Sequence, residues 1–205
     1  AHDVQVTTGA LPYALEESYV GEDFFDKFNF YTGLDPSSGA VEYVGRREAF
    51  EQQFVKATGE RVYVGADKTS VVEGTRRSVR IQSVATYNQG LFIARIDHVP
   101  TGCGTWPAFW MYGEDPAHVW PEKGEYDIIE SVHGATRTLT TLHTDANCDQ
   151  SYLSAAGSSV EWDIGSAGAP ADNCDVAATD QFKNQGCSQL GPPASAGAPF
   201  NAGNG

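Results

Sequence analysis

The sequence predicts an all-β fold, an antiparallel sandwich, and three observations carry that prediction. Short runs rich in Val, Ile, Thr, Tyr and Phe recur along the chain, and clusters of Gly, Pro, Asp and Ser separate them. No stretch sustains helical periodicity for three turns. With 205 residues, 40% of them hydrophobic, residues 1–205 are expected to form one domain with a sizeable core.

The predicted elements follow in order. "AVEYV" (40–44), "ERVYVGAD" (60–67), "SVRIQSVATY" (78–87) and "GLFIARIDHV" (90–99) read as strands. Between the first two, "GRREAFEQQF" (45–54) is too polar and too short for more than a surface helix or turn. An aromatic-rich segment, "GTWPAFWMYGEDPAHVWPEKG" (104–124), leads into "GEYDIIES" (124–131). From about Asn147 the chain turns to small residues and turn formers, so 147–205 is expected to be long loops pinned by Cys148, Cys174 and Cys187. No internal repeat is visible.

Charge and cysteine usage limit the function classes. Lys+Arg at 13 against Asp+Glu at 27 gives −14, which repels phosphate backbones and anionic lipid, so neither nucleic acid nor membrane is expected as a partner. Cys103, Cys148, Cys174 and Cys187 lack the short paired spacings of a zinc site and suit disulfides, with three pairings open. The chain opens at Ala1 without methionine and holds no apolar run long enough to span a bilayer. A mature secreted protein is the expectation, and without an Asn-x-Ser/Thr sequon N-glycosylation is not expected.

Glu125, Asp127 and Glu130 crowd three carboxylates beside Ile128 and Ile129. Side chains alternate along a strand, so Glu125 and Asp127 share a face while Glu130 falls on the other. A β-bulge at Ile128 or Ile129 returns Glu130 to the face of the other two acids. Mutual repulsion then favours a proton on at least one carboxyl. Glycoside hydrolysis uses one charged and one protonated carboxyl, and aromatic rings beside them suit the apolar faces of sugars. The solvated acidic face is the plainer reading, and the neighbouring Trp106, Phe109, Trp110 and Trp120 argue against it. Glu130-Ser-Val-His133 matches the Glu-x-x-His spacing of di-iron bundles, but that motif needs a helix and a second copy. Gly102-Cys103-Gly104 is only a fragment of a dinucleotide fingerprint.

"GEYDIIES", with "GCGTWPAFWM" and "WPEKG" before it, the "SVRIQS" strand, and "TLHTDANC" after it, resembles the signature of the glycoside hydrolase family 16 endo-β-1,3-glucanases, or laminarinases, of the secreted fungal branch. The resemblance runs from about Tyr13 to the end of the chain. It implies a β-jelly-roll sandwich with a concave glucan-binding cleft, and hydrolysis with retention of configuration. By position, Glu125 resembles the nucleophile, Glu130 the acid/base, and Asp127 the residue that tunes the pair. Arg80, Trp110, Trp120, His143 and Glu42 match sugar-binding or cleft positions, whereas Trp106 is read as core. The partner implied is β-glucan, with linkage preference open.

The sequence also departs from the family pattern. Family chains often continue the catalytic strand as Glu-Gly-Val-Asn, where this one reads Glu130-Ser131-Val132-His133, so the leaving-group side of the cleft is expected to differ. Asp145 stands where glycine is common. Family chains run on into further strands, so a domain incomplete at its C-terminus is expected, completed either by a further stretch of the same protein or by a complementary C-terminal fragment. A structural calcium is common in the family, but no oxygen-ligand cluster identifies one here, and no catalytic metal or cofactor is expected. Two alternatives stand beside hydrolysis: a β-glucan transglycosylase, which shares every catalytic residue, and a non-catalytic β-glucan-recognition protein, which would have lost the acids.

Overall fold

The computed structural model describes residues 13–155 and 161–203. Ala1, most of the small-residue stretch "SAAGSS" and the final Asn204–Gly205 lie outside the described residues. The chain divides into two compact units, Ala1–Ile93 and Ala94–Gly205.

In the first unit a 3₁₀ turn, Phe24–Lys27, leads into β1 (Phe28–Phe30), β2 (Gly33–Leu34), β3 (Val41–Tyr43), helix α1 (Arg46–Glu51), β4 (Val55–Thr58), β5 (Arg61–Val64), β6 (Arg76–Ser78) and β7 (Ile81–Ser83). β1 pairs with β7 and β4 with β5, both antiparallel, while β3 lies between an antiparallel β2 and a parallel β6. The β3–β6 pairing is the one departure from the expected antiparallel pattern among the described strands. The β4–β5 hairpin closes over Gly59 and Glu60, and the positive φ of 59° at Gly59 is the conformation a two-residue hairpin needs. The core is built from Phe25, Val44, Ala49, Phe54 and Val55, with Phe24, Phe30 and Ile81 packed against it. α1 is short, as its polarity predicts, yet it buries Ala49 completely and delivers Phe54 to the core. Burying the Phe54 side chain contributes about 2 kcal/mol.

The second unit holds β8 (Ala108–Tyr112), β9 (Glu125–Glu130), β10 (Leu139–His143), helix α2 (Ser151–Ala155), β11 (Cys187–Leu190) and helix α3 (Gly197–Ala202). Its strands form one antiparallel sheet in the order β11-β10-β9-β8. One face carries Phe109, Met111, Tyr126 and Leu142, with Phe109 40% and Met111 37% exposed, and a cavity of about 260 Å³ opens there between Tyr126, Thr140, Leu142, Gln150, Cys187 and Gln189. Loops fill most of 147–205, as composition predicts, and polar bonds hold them. The buried Gln181 amide donates to the carbonyls of Asn173 and Gly186, both at 2.8 Å, and its Oε1 accepts from the Asn173 N–H at 2.9 Å.

Two sequence-based expectations are corrected here. The run "GLFIARIDHV" forms no strand: Leu91, Phe92 and Ile93 are exposed, because no neighbouring segment supplies the ladder that an apolar run needs to become one. Of the four cysteines only Cys174 and Cys187 are joined, which ties a loop to β11; Cys103 and Cys148 are free and exposed. Cys148 still helps hold the loop, since its carbonyl accepts the Cys174 N–H at 2.9 Å. No helix among the described residues is long and apolar enough to cross a membrane.

Candidate active site

The acidic strand is bulged as its sequence predicts. Against β8, Phe109 pairs with Ile129 and Trp110 with Asp127, and against β10, Leu139 pairs with Glu130 and Thr141 with Asp127. Ile128 is thus the extra residue against β8, while against β10 Ile128 and Ile129 together oppose Thr140, whose hydroxyl donates to the Ile128 carbonyl at 3.0 Å. Register then puts Glu125, Asp127 and Glu130 on one face, opposite Tyr112, Trp110 and Ala108 on β8 and beside His143 and Thr141 on β10.

Each carboxylate has its own partner. The Trp120 indole N–H donates to Glu125 Oε2 at 2.7 Å, and the Trp106 indole N–H donates to Glu130 Oε1 at 2.5 Å. Asp127 is almost fully buried and meets His143 Nε2 through Oδ2 at 3.0 Å. A hydrogen bond to an ionised carboxylate contributes about 1.5–3 kcal/mol, enough to fix both glutamates in one rotamer.

The electrostatics separate the groups. Burial pushes the Glu130 carboxyl above the usual carboxylate range, and the charges of Asp127 and Glu125 push it further, against the Trp106 hydrogen bond and the His143 charge. For His143, burial disfavours the imidazolium, but the hydrogen bond to Asp127 and the charges of Asp127, Glu125 and Glu130 outweigh it and hold its pKa above the ordinary histidine value. The arrangement therefore offers a carboxyl that keeps its proton to higher pH, beside a carboxylate held by an indole.

Of the residues singled out by sequence, Glu125, Asp127, Glu130, Trp110, Trp120 and His143 meet on or beside this sheet face. Trp110 stacks on Tyr112, with centroids 5.3 Å apart, and Trp120 lies 6.4 Å from the His143 ring. Arg80 and Glu42 belong to the other unit: Arg80 lies over the Tyr31 ring at 4.9 Å, and Glu42 is exposed on β3 in register with Arg77. Trp106 is not core. It is 53% exposed and bonds Glu130, because the extended pairing with the acidic segment continues past β8 through Pro107 and Thr105, and alternation puts Trp106 on the face of Ala108 and Trp110. Tyr112 was missed by sequence reading, although the Trp110-x-Tyr112 spacing signals it.

Glu125, Asp127 and His143 also bring ligand atoms within 4.8 Å of one another, a set that could hold a metal ion. It includes an imidazole and so does not fit calcium, which takes oxygens.

Comparison with known proteins adds to this geometry. The model of the XgeA-like catalytic GH16 domain matches residues 28–205. An endo-1,3(4)-β-glucanase of Arthroderma benhamiae is 39% identical over 181 residues, which are 87% of this chain and 37% of that protein. Two solved structures share 36% identity with a TM-score of 0.77. One is the GH16 laminarinase 16A of Phanerochaete chrysosporium with 6-O-glucosyl-laminaritriose in its donor and acceptor sites, matched over 93% of this chain and 60% of that one. The other is an elongating family 16 β-1,3-glucosyltransferase, matched over 95% and 61%. The chain thus spans well under half of the curated relative and about three fifths of the solved ones.

Proposed function

This chain belongs to the GH16 catalytic-domain family, and from that premise we propose that it cleaves β-1,3 or mixed β-1,3-1,4 glucans internally, by double displacement with retention. The observation that carries the reading is the bulge at Ile128, which gathers Glu125, Asp127 and Glu130 on one sheet face with an indole N–H on each glutamate.

Glu125 attacks the anomeric carbon while Glu130, protonated by virtue of its raised pKa, gives its proton to the leaving oxygen. Glu130 then draws a proton from water, which attacks the glycosyl-enzyme and releases the sugar. Asp127, held by His143, keeps negative charge between the two and favours the proton on Glu130. Trp110 and Trp120 supply stacking surfaces for the sugar, His143 orients Asp127, and Arg80 and Glu42 are proposed as further glucan contacts. The chemistry draws on no cofactor. We further propose that the enzyme acts outside the cell, consistent with its disulfide, and that the half-exposed far face of the sheet receives strands from a complementary C-terminal polypeptide.

Glu125→Gln tests the reading: hydrolysis of laminarin should be abolished while glucan binding persists, and a variant with substantial turnover would sink it. A second reading, transglycosylation, is favoured by the likeness to the elongating glucosyltransferase. Laminarin-derived oligosaccharides offered as acceptors distinguish the two, since chains longer than the donor appear only if a sugar competes with water for the glycosyl-enzyme.

A further inference from the structure

His133 lies three residues beyond Glu130 in a left-handed backbone conformation, φ 55°, which is uncommon outside glycine. It faces the loop Thr101–Thr105 and bonds it through both main chain and ring, and the Thr101 and Thr105 hydroxyls also donate to its carbonyl, at 3.5 and 3.3 Å. The His133 N–H donates to the Thr105 carbonyl at 2.8 Å, the Gly102 N–H donates to the His133 carbonyl at 3.0 Å, and the Gly104 N–H donates to the ring at Nδ1, 2.9 Å away. The loop closes on itself through the Thr105 hydroxyl, which donates to the Gly102 carbonyl at 2.8 Å, and its positive φ values at Gly102 and Gly104 explain the Gly-Cys-Gly sequence. The next residue is Trp106, whose indole holds Glu130.

We propose that His133 is a positioning residue for the acid/base: its Nδ1 acceptor holds the Gly104 turn, the turn aims Trp106, and Trp106 fixes the Glu130 carboxyl. This rests on the reading of Glu130 given above. Because Nδ1 accepts a hydrogen bond, its lone pair is unprotonated there and any ring proton sits on Nε2. Removing the acceptor leaves the Gly104 N–H without its partner while the main-chain bonds of His133 stay, so the turn loosens at Gly104 and the Trp106 bond that steadies ionised Glu130 weakens with it. Asp127, Glu125 and His143 face the same carboxyl and are left as they were.

The test compares His133→Gly, which accepts the backbone conformation but has no acceptor, with His133→Asn, which tolerates it and places Oδ1 where Nδ1 was. Trp106→Phe assigns the Trp106 indole ¹H–¹⁵N resonance. In His133→Gly that resonance should shift while the Trp120 indole, bonded to Glu125, does not; His133→Asn should leave both in place. In turnover of laminarin, His133→Gly should lower kcat by roughly threefold to tenfold with KM little changed. The basic limb of its pH profile should move to higher pH, as in Trp106→Phe, and the double variant His133→Gly/Trp106→Phe should match Trp106→Phe alone. Should His133→Gly not fold, His133→Ala takes its place. An unmoved Trp106 resonance, or additive losses in the double variant, would overturn the proposal. Were Glu130→Gln to stay active, the role of Glu130 would fall instead, and the indole shift would still report on His133.

Discussion

The Asp127–His143 pair carries a pH-dependent share of stability that one substitution exposes. His143→Leu keeps much of the ring's volume and removes its charge, leaving Asp127 buried beside two other carboxyls. The side chains are 12% and 5% exposed, so solvent screens the pair little. Breaking a buried pair by deleting one partner costs about 3–5 kcal/mol; protonation of the stranded aspartate relieves part of that, leaving about 3 kcal/mol. For a chain of this size the loss amounts to a fall in Tm of roughly 6–12 °C. The sign with pH follows from the raised pKa of folded His143. The contribution is fully present below the unfolded histidine value, about 6.5, and fades as pH rises through the higher folded value. Thermal unfolding by circular dichroism at pH 5.5 and pH 9 should therefore show a large gap between wild type and variant at the lower pH and a small one at the higher. An equal gap at both would mean that His143 serves by packing alone.

Three further outcomes follow from the same face. Glu130→Gln should nearly stop cleavage of polysaccharide, while added azide restores turnover of substrates with good leaving groups as a β-glycosyl azide, read by NMR; an α product would contradict retention. The same variant should be more stable than wild type at pH 7 and no different near pH 4, by differential scanning calorimetry, because burial raises the folded carboxyl's pKa and the folded state therefore loses stability as pH climbs above the unfolded value. Trp120→Phe keeps an aromatic surface but drops the bond to Glu125. Because Trp120 is 47% exposed, about 1–1.5 kcal/mol is lost, close to tenfold in kcat/KM on laminarin, and an unchanged value would dissociate the indole from the nucleophile's geometry.

What was legible in the sequence was whatever alternation governs. Spacing placed Glu125 and Asp127 on one face, and Glu130 joined them only through a bulge, which the crowding of the three acids suggested and the register shows. Trp110 came from the family resemblance, and its register opposite Asp127 puts it on the same face. Trp106 was legible in the same way and was misread, since it lies four residues before Trp110 and shares its face. Disulfide pairing was equally hidden: Cys174 and Cys187 meet only because β11 joins β10 and the loop returns beneath it. The apolar run at 90–99 misled because composition reports a preference for extended backbone and says nothing of whether a neighbouring strand is there to pair.

The apolar far face of the β8–β11 sheet has a consequence for behaviour in solution. Residues 1–205 without the complementary strands, with net charge −14 and with Phe109 and Met111 more than a third exposed, combine long-range repulsion with a short-range adhesive patch. At low ionic strength the repulsion keeps molecules apart. At about 0.1 M salt the Debye length shrinks to about 10 Å, and two such patches can approach before the charges oppose them. Self-association should then strengthen as salt is added, the reverse of what ion-paired contacts do, and dilute buffer is where the monomer persists.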